Sequence, residues 1–133
     1  MMLAKGTIVA VADGEKLNLF RNAGDEVQMK LAALPHQAVG GNSAASGGRQ
    51  SRSGNPDQGQ ALEDGFSAGI VQYLNSQALE GGIEHVVIIA APRALGEMRK
   101  HYHKALSARL QGEIAKDLTG HSMSDVEAAL AAA

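Results

Sequence analysis

Alternation of apolar and polar residues characterises the first third of the chain. Thr7 to Ala12 is a β-branched and aliphatic run, and it stops at Asp13-Gly14, a dipeptide that favours a tight turn between two strands. Apolar and polar residues alternate again over 17–21 and over 27–31, with turn residues at 22–25. The pattern predicts an antiparallel β-meander of three strands.

Helical spacing replaces this alternation from residue 62 onward. The apolar positions recur three and four residues apart: Leu62, Phe66, Ile70, Tyr73, Leu74 and Leu79. Gly81-Gly82 is a typical helix C-cap signal. The run Val86 to Ala91 is continuously apolar and β-branched, which predicts a central strand that is covered on both faces.

Further helices follow this strand. Pro92 suits a first helical turn, and Leu95, Met98 and Tyr102 continue a helical stripe, with a second helical stretch behind it. Residues 114–118 are compatible with the end of that stretch or with a short edge strand. We favour the strand, because a β-α-β crossover would pair it in parallel with the central strand.

The last helix is predicted from its capping signal. Ser124 and Glu127 have the spacing of a capping box. The predicted order is therefore β-β-β-α-β-α-β-α. It indicates an α/β fold in which a mixed sheet lies between helices in a single three-layer domain over residues 1–133. Ribonuclease-H-like and release-factor-like domains share this order.

Residues 36–60 differ in composition from the rest of the chain. They contain six of the sixteen glycines, four serines and four glutamines, and almost nothing apolar. Such a segment buries too little surface to offset the entropy of ordering it. We predict a flexible loop here, which is either a solvated spacer or a segment that orders on a partner.

Composition excludes several classes of function. The chain has no cysteine, which removes disulfides, thiol catalysis and Cys-ligated metals. Only 3% of the residues are aromatic and the net charge is -2, so a base-stacking platform and a globally basic nucleic-acid-binding domain are excluded. No phosphate-binding glycine motif, signal peptide or membrane span is visible. We expect a cytoplasmic protein without a cofactor.

Metal chemistry has little support in the sequence. Asp13 and Asp117 would stand at strand ends, as in a metal-dependent nuclease, but the central strand ends in Ala90-Ala91-Pro92 and adds no acid. Turn chemistry at Asp13 and a cap or ion pair at Asp117 are the favoured explanations, and a metal-dependent nuclease is kept as an outside alternative. His101 and His103 lack a carboxylate partner at ligand spacing and are expected to be solvated. We therefore assign no metal site.

One basic stretch stands out. Arg93, Arg99, Lys100, Lys104 and Arg109 surround Glu97, and the stretch begins at a predicted helix N-terminus, where free backbone N–H groups favour anions. It is interpreted as a phosphate-facing patch or as an ordinary solvated helix face.

The loop carries a second candidate motif. Gly47-Gly48-Arg49-Gln50 lies just ahead of the long helix. A glycine pair lets the backbone approach another molecule closely, and the Gln50 amide is able to orient a water because it both donates and accepts hydrogen bonds.

Four segments together resemble the bacterial host attachment proteins, a family named "protein required for attachment to host cells". They are Val11-Ala12-Asp13-Gly14 with Leu19-Phe20, His85 to Arg93, Leu95-Gly96 with Met98-Arg99, and Glu113 to Thr119 with His121. The resemblance implies binding roles for motif residues, which are Asp13, Lys116, Asp117, Thr119 and His121. It also implies an indirect role in attachment.

That family is similar in fold to the middle domain of archaeal and eukaryotic class-1 release factors. Their Gly-Gly-Gln loop precedes a long helix and promotes hydrolysis of peptidyl-tRNA. Gly47, Gly48 and Gln50 match that motif in location, with Arg49 inserted. The resemblance implies ribosome or tRNA as the partner and Gln50 as the catalytic candidate. Together with the glycine-rich loop and the basic stretch, it favours Gly47, Gly48, Arg93, Arg99 and Lys100 as binding residues. The alternative is a protein-interaction or regulatory domain without an RNA role.

Overall fold

The computed structural model describes residues 1–34 and 58–133, and for residues 58–60 only the backbone. The strands are β1 (Ile8–Ala12), β2 (Leu17–Asn22), β3 (Leu31–Ala33), β4 (Val86–Ala90) and β5 (Leu110–Ala115). The helices are α1 (Gln58–Leu79), α2 (Pro92–Arg99), α3 (Lys104–Arg109) and α4 (Met123–Ala132). No helix in these ranges is long and apolar enough to cross a membrane.

The five strands form one mixed sheet in the order β3-β2-β1-β4-β5. β1 pairs antiparallel with β2, and β2 pairs antiparallel with β3. β1 pairs in parallel with β4, and β4 pairs in parallel with β5. The Asp13-Gly14 hairpin is confirmed by the register Ala12 to Leu17. β4 is interior as predicted, but the middle position belongs to β1.

Burial on both faces of the sheet makes the domain three-layered. Every residue of β4 is buried, because alternate side chains enter two separate cores. Ile88 packs with Ile70, Leu74 and Leu95 beneath α1 and α2. Ile89 packs on the other face with Val126 and Leu130 of α4. The predicted α/β fold with helices on both faces is confirmed.

The third predicted strand is wrong in its position. Residues 23–30 form a loop with several bends and no strand, and Val27 in it is 85% exposed. The buried Asn22 carboxamide accepts hydrogen bonds from the amides of Gly24 and Lys30, both at 3.0 Å. The Asp25 carboxylate accepts from the amides of Val27 and Gln28. These side-chain bonds satisfy backbone groups that a strand would have paired, so β3 begins only at residue 31.

Other predicted bounds also differ. α1 begins at Gln58, so the last three residues of the predicted loop 36–60 belong to a helix. β5 is an edge strand parallel to β4, as favoured, but it begins at Leu110, whose extended backbone ends α3. The capping box at Ser124 is wrong, because Ser122 caps α4 by accepting from the Asp125 amide. Glu127 instead accepts a hydrogen bond from the amide of Leu31.

Candidate functional site

The carboxyl ends of the parallel strands form the first candidate region. After β1 the chain turns toward β2, whereas after β4 it passes through α2 and α3 to β5 on the other side. Open α/β sheets most often bind ligands where the strand order changes direction in this way. Asp13 follows β1 here, Arg93 lies in the first turn of α2 and Lys116 follows β5.

The Asp13 carboxylate closes the turn between β1 and β2. Its Oδ1 atom accepts hydrogen bonds from the amides of Glu15 and Lys16, both at 2.6 Å. On α1, the Glu63 Oε1 atom lies 2.5 Å from the position that a β carbon would take at Gly14. The turn is therefore held from within by Asp13 and covered by Glu63.

Thr119 ties the segment after β5 to this turn. Its hydroxyl lies 2.8 Å from Asp13 Oδ2 and 2.9 Å from Asp117 Oδ1. A hydroxyl has one proton, so it donates to one of these carboxylates at a time. The Asn18 side chain on β2 donates to the Thr119 carbonyl at 3.1 Å. Three of the residues singled out by the resemblance, Asp13, Asp117 and Thr119, thus lie together.

Hydrogen bonding controls the charge of Asp13. Partial burial raises the pKa of its carboxyl, but hydrogen bonds from the Glu15 amide, the Thr119 hydroxyl and the Lys16 amide lower it further than burial raises it. The net result is a pKa below the ordinary value of 3.8. Asp13 is consequently an anion at neutral pH.

Among the described residues, no side-chain hydrogen bond joins the two other residues named with this group to Asp13, Asp117 or Thr119. His121 is exposed and its Nδ1 atom lies 3.2 Å from the Asp125 carboxylate in the first turn of α4. Lys116 is exposed, and its side chain makes no ion pair within the ranges the structure covers. Across those same ranges, no three Asp, Glu or His side chains converge as metal ligands.

The basic stretch is partly neutralised by acids that the sequence did not reveal as partners. The Arg99 guanidinium lies 2.9 Å from Oε1 of Glu113 on β5, and the Tyr102 hydroxyl donates to Oε2 of Glu113 at 2.6 Å. Burial raises the pKa of the Glu113 carboxyl, and the bonds from Arg99 and Tyr102 more than reverse this. Burial and then the bond to Glu113 raise the pKa of the Tyr102 phenol.

A second acid takes up the next two basic side chains. Lys100 Nζ lies 3.1 Å and His101 Nε2 lies 3.0 Å from the Glu97 carboxylate. The hydrogen bond from His101, followed by that from Lys100, lowers the pKa of Glu97. The prediction that His101 has no carboxylate partner is therefore wrong. His103 is exposed as expected, and its ring accepts from the Ala105 amide to cap α3.

Positive charge nevertheless concentrates on this part of the molecule. Residues 92–116 carry six Lys and Arg side chains and two carboxylates, whereas the whole chain carries twelve basic and fourteen acidic residues. Arg93, Lys104 and Lys116 are exposed and have no ion pair in the described part of the chain. We call the surface of α2, α3 and the end of β5 the basic surface.

The loop candidates lie outside the described residues. Gly47, Gly48 and Gln50 fall between residues 34 and 58, so their roles stay predictions. Glu63, Asn18, Tyr102 and Glu113 were not predicted as site residues. The predicted strand begins at residue 114, so Glu113 is not expected to lie on β5 within reach of Arg99. Glu63 comes close to Gly14 only through the tertiary fold.

The strand order and the two parallel crossovers define a small α/β domain with a five-stranded mixed sheet, an architecture consistent with a release-factor-like domain. The model of bacterial archaeo-eukaryotic release factor family 12 matches residues 6–130. The chain therefore belongs to that family, as the similarity to release factors implied. No curated protein matches the chain at a significant level.

Proposed function

We propose that this protein is a cytoplasmic release-factor-like factor that binds the ribosome or tRNA. The observation that carries the proposal is the family match over residues 6–130. The basic surface supports it, because RNA backbones are bound chiefly by Lys and Arg contacts to phosphate. The rest of the chain is acidic, which would orient the domain with this surface toward RNA.

Unpaired cations carry most of this proposed contact. Arg99 and Lys100 each hold a carboxylate, so only part of their charge is available to a phosphate. Arg93 follows β4 and Lys116 follows β5 at the carboxyl ends of these parallel strands, and neither forms an ion pair in the described ranges. We infer that the Asp13–Thr119 tether positions the segment bearing Lys116 rather than contacting the ligand.

Co-sedimentation with ribosomes tests this proposal. The variant Arg93→Gln/Lys116→Gln is compared with Lys5→Gln/Lys30→Gln, which removes the same charge at the opposite edge of the sheet. The first variant is expected to bind more weakly, and the slope of log affinity against log salt to fall by about 0.7 to 0.9 for each lost contact. Equal binding by the two variants would refute the basic surface as the contact.

Hydrolysis of peptidyl-tRNA is a second candidate activity. It is favoured by Gly47-Gly48-Arg49-Gln50 ahead of α1, where the inserted Arg49 moves the amide one residue from its position in the release-factor motif. The water oriented by the Gln50 amide would attack the ester carbonyl and release the peptide from the tRNA. In this case Gln50→Ala abolishes release of labelled peptide but leaves co-sedimentation unchanged.

A role in attachment to host cells would be indirect, through altered translation. Deleting the gene and restoring it with Arg93→Gln/Lys116→Gln tests this link, because attachment should then follow ribosome binding. The alternative hypothesis is a protein-interaction or regulatory domain without an RNA role. It is favoured by the exposure of Val27 (85%) and Met2 (66%). A protein partner retained after nuclease and high salt, with no ribosome binding at any salt, would establish it instead.

A further inference from the structure

A cavity of about 330 Å³ lies at the amino ends of the parallel strands, whereas the candidate site lies at their carboxyl ends. It is bordered by the amino ends of β1 and β4 and by Gly81-Gly82 after α1. Ile8 and Leu34 form its apolar wall and pack against the core beneath α1. The volume is at the lower end of the range of small-molecule sites, about 300 to 1,000 Å³.

Charged side chains line the rest of this cavity. Lys5, Arg21, His85 and Glu84 line it, and Glu84 is the one acidic residue among the described lining residues. None of these four side chains forms a salt bridge with any residue in the described ranges. Among the described lining residues, basic side chains thus outnumber acidic ones, and such a lining attracts anions.

The Arg21 guanidinium lies beside the backbone of Gly6 at the cavity wall. Gly6 has φ 90°, and the Arg21 guanidinium nitrogens lie 3.8 and 3.9 Å from the position of a β carbon at residue 6. Arg21 stands opposite Ile8 in the β1–β2 register, on the face that α1 covers. A planar guanidinium is preorganised to give two parallel hydrogen bonds to phosphate.

We propose that this cavity binds the phosphate group of a small phosphorylated molecule. The Arg21 guanidinium donates to two phosphate oxygens, Lys5 supplies a second positive charge, and the His85 ring donates an N–H. The cavity is too small for a duplex and holds a phosphate with a sugar-sized substituent. This proposal does not depend on the proposed function, whose unpaired cations Arg93 and Lys116 follow the carboxyl ends of β4 and β5.

The test is a titration followed by ¹H–¹⁵N NMR, with inorganic phosphate and adenosine 5′-monophosphate as separate probes. Binding should shift the amides of Gly6, Gly81 and Gly82. Tighter binding of the nucleotide would identify a phosphorylated metabolite as the ligand class. Equal affinities would identify free phosphate, because the nucleoside then adds no contact.

Charge variants decide whether the cavity is the site. Arg21→Gln is expected to weaken binding about tenfold and Lys5→Gln about threefold, since each removes a charge-assisted hydrogen bond. Glu84→Gln should strengthen binding, because it removes a carboxylate, the only one among the described lining residues. Lys30→Gln is the matched control and should change nothing.

Two results would overturn this inference. One is the absence of shifts at the three glycine amides at about 20 mM of either probe, far above useful affinities. The other is an equal effect of Arg21→Gln and Lys30→Gln, which would indicate attraction to overall charge. The variant Arg93→Gln/Lys116→Gln separates the two proposals, because it should lose ribosome binding and keep phosphate binding.

Discussion

Removing the Asp13 carboxylate tests what holds the turn after β1 to the segment after β5. Asp13→Ala deletes two hydrogen bonds from backbone amides at 2.6 Å and one from the Thr119 hydroxyl at 2.8 Å. The turn after β1 and the segment after β5 would then lose their common anchor.

The magnitude follows from these three bonds. A hydrogen bond to a charged group contributes about 1.5 to 3 kcal/mol to the free energy of unfolding. The donors here reach water when the carboxylate is removed, so each of these bonds contributes less than that. We expect Asp13→Ala to lower the free energy of unfolding by about 2 kcal/mol. Asp25→Ala is the matched control, because Asp25 accepts two amide bonds in the same kind of turn and has no hydroxyl partner among the described residues. It should cost about 1 kcal/mol.

The dependence on pH has a definite sign. The folded-state pKa of Asp13 is below its ordinary value of 3.8, so folding favours the ionised carboxylate. The stability that the charge contributes is complete above pH 3.8 and is lost as the pH falls through the lower folded-state pKa. The difference between wild type and Asp13→Ala should therefore be constant from pH 7 to about pH 5 and shrink toward pH 3.

Urea unfolding followed by circular dichroism at pH 7, 5 and 3 measures this difference. Thr119→Val, which keeps the shape of the side chain without the hydroxyl, completes a double-mutant cycle with Asp13→Ala. The expected coupling energy is about 0.5 to 1 kcal/mol. Additive effects of the two variants, or equal losses for Asp13→Ala and Asp25→Ala, would refute the tether.

Three further predictions concern other parts of the fold. Tyr102→Phe removes the 2.6 Å hydrogen bond to Glu113 and should lower the free energy of unfolding in urea by about 1 kcal/mol. In wild type, the raised pKa of the Tyr102 phenol should make it ionise above pH 10.0 in an ultraviolet titration. Gly81→Ala should destabilise by about 1 kcal/mol because φ is 82°, whereas Gly120→Ala, also in open space, should be neutral. Gly96→Ala has open space within α2 and should raise the thermal midpoint, since alanine favours helix by about 0.5 to 1 kcal/mol; an unchanged midpoint would contradict this.

Local signals predicted the elements whose stability is local. The Asp13-Gly14 hairpin, the apolar run of β4 and the Gly81 helix end each depend on neighbouring residues, and all are confirmed. The misplaced third strand shows the limit of this reasoning. Residues 27–31 alternate as a strand would, but the buried Asn22 side chain binds the amides of Gly24 and Lys30 and fixes a turn instead. An alternation of apolar and polar residues does not reveal such side-chain bonds.

The candidate site depends on contacts between distant residues. Thr119 and Asp13 are separated by 106 positions, and their juxtaposition follows from the sheet order rather than from spacing. Family resemblance placed both residues in the predicted set, whereas no pattern in the sequence pairs Arg99 with Glu113 on β5. The structure thus shifts attention to the unpaired Arg93 and Lys116.

The most direct test of the proposed role is co-sedimentation of the purified protein with ribosomes at low and moderate salt. Wild type and Lys5→Gln/Lys30→Gln should bind at low salt and dissociate as salt rises, and Arg93→Gln/Lys116→Gln should bind measurably less at every salt concentration. Absence of wild-type binding even at low salt would contradict a release-factor-like role on the ribosome.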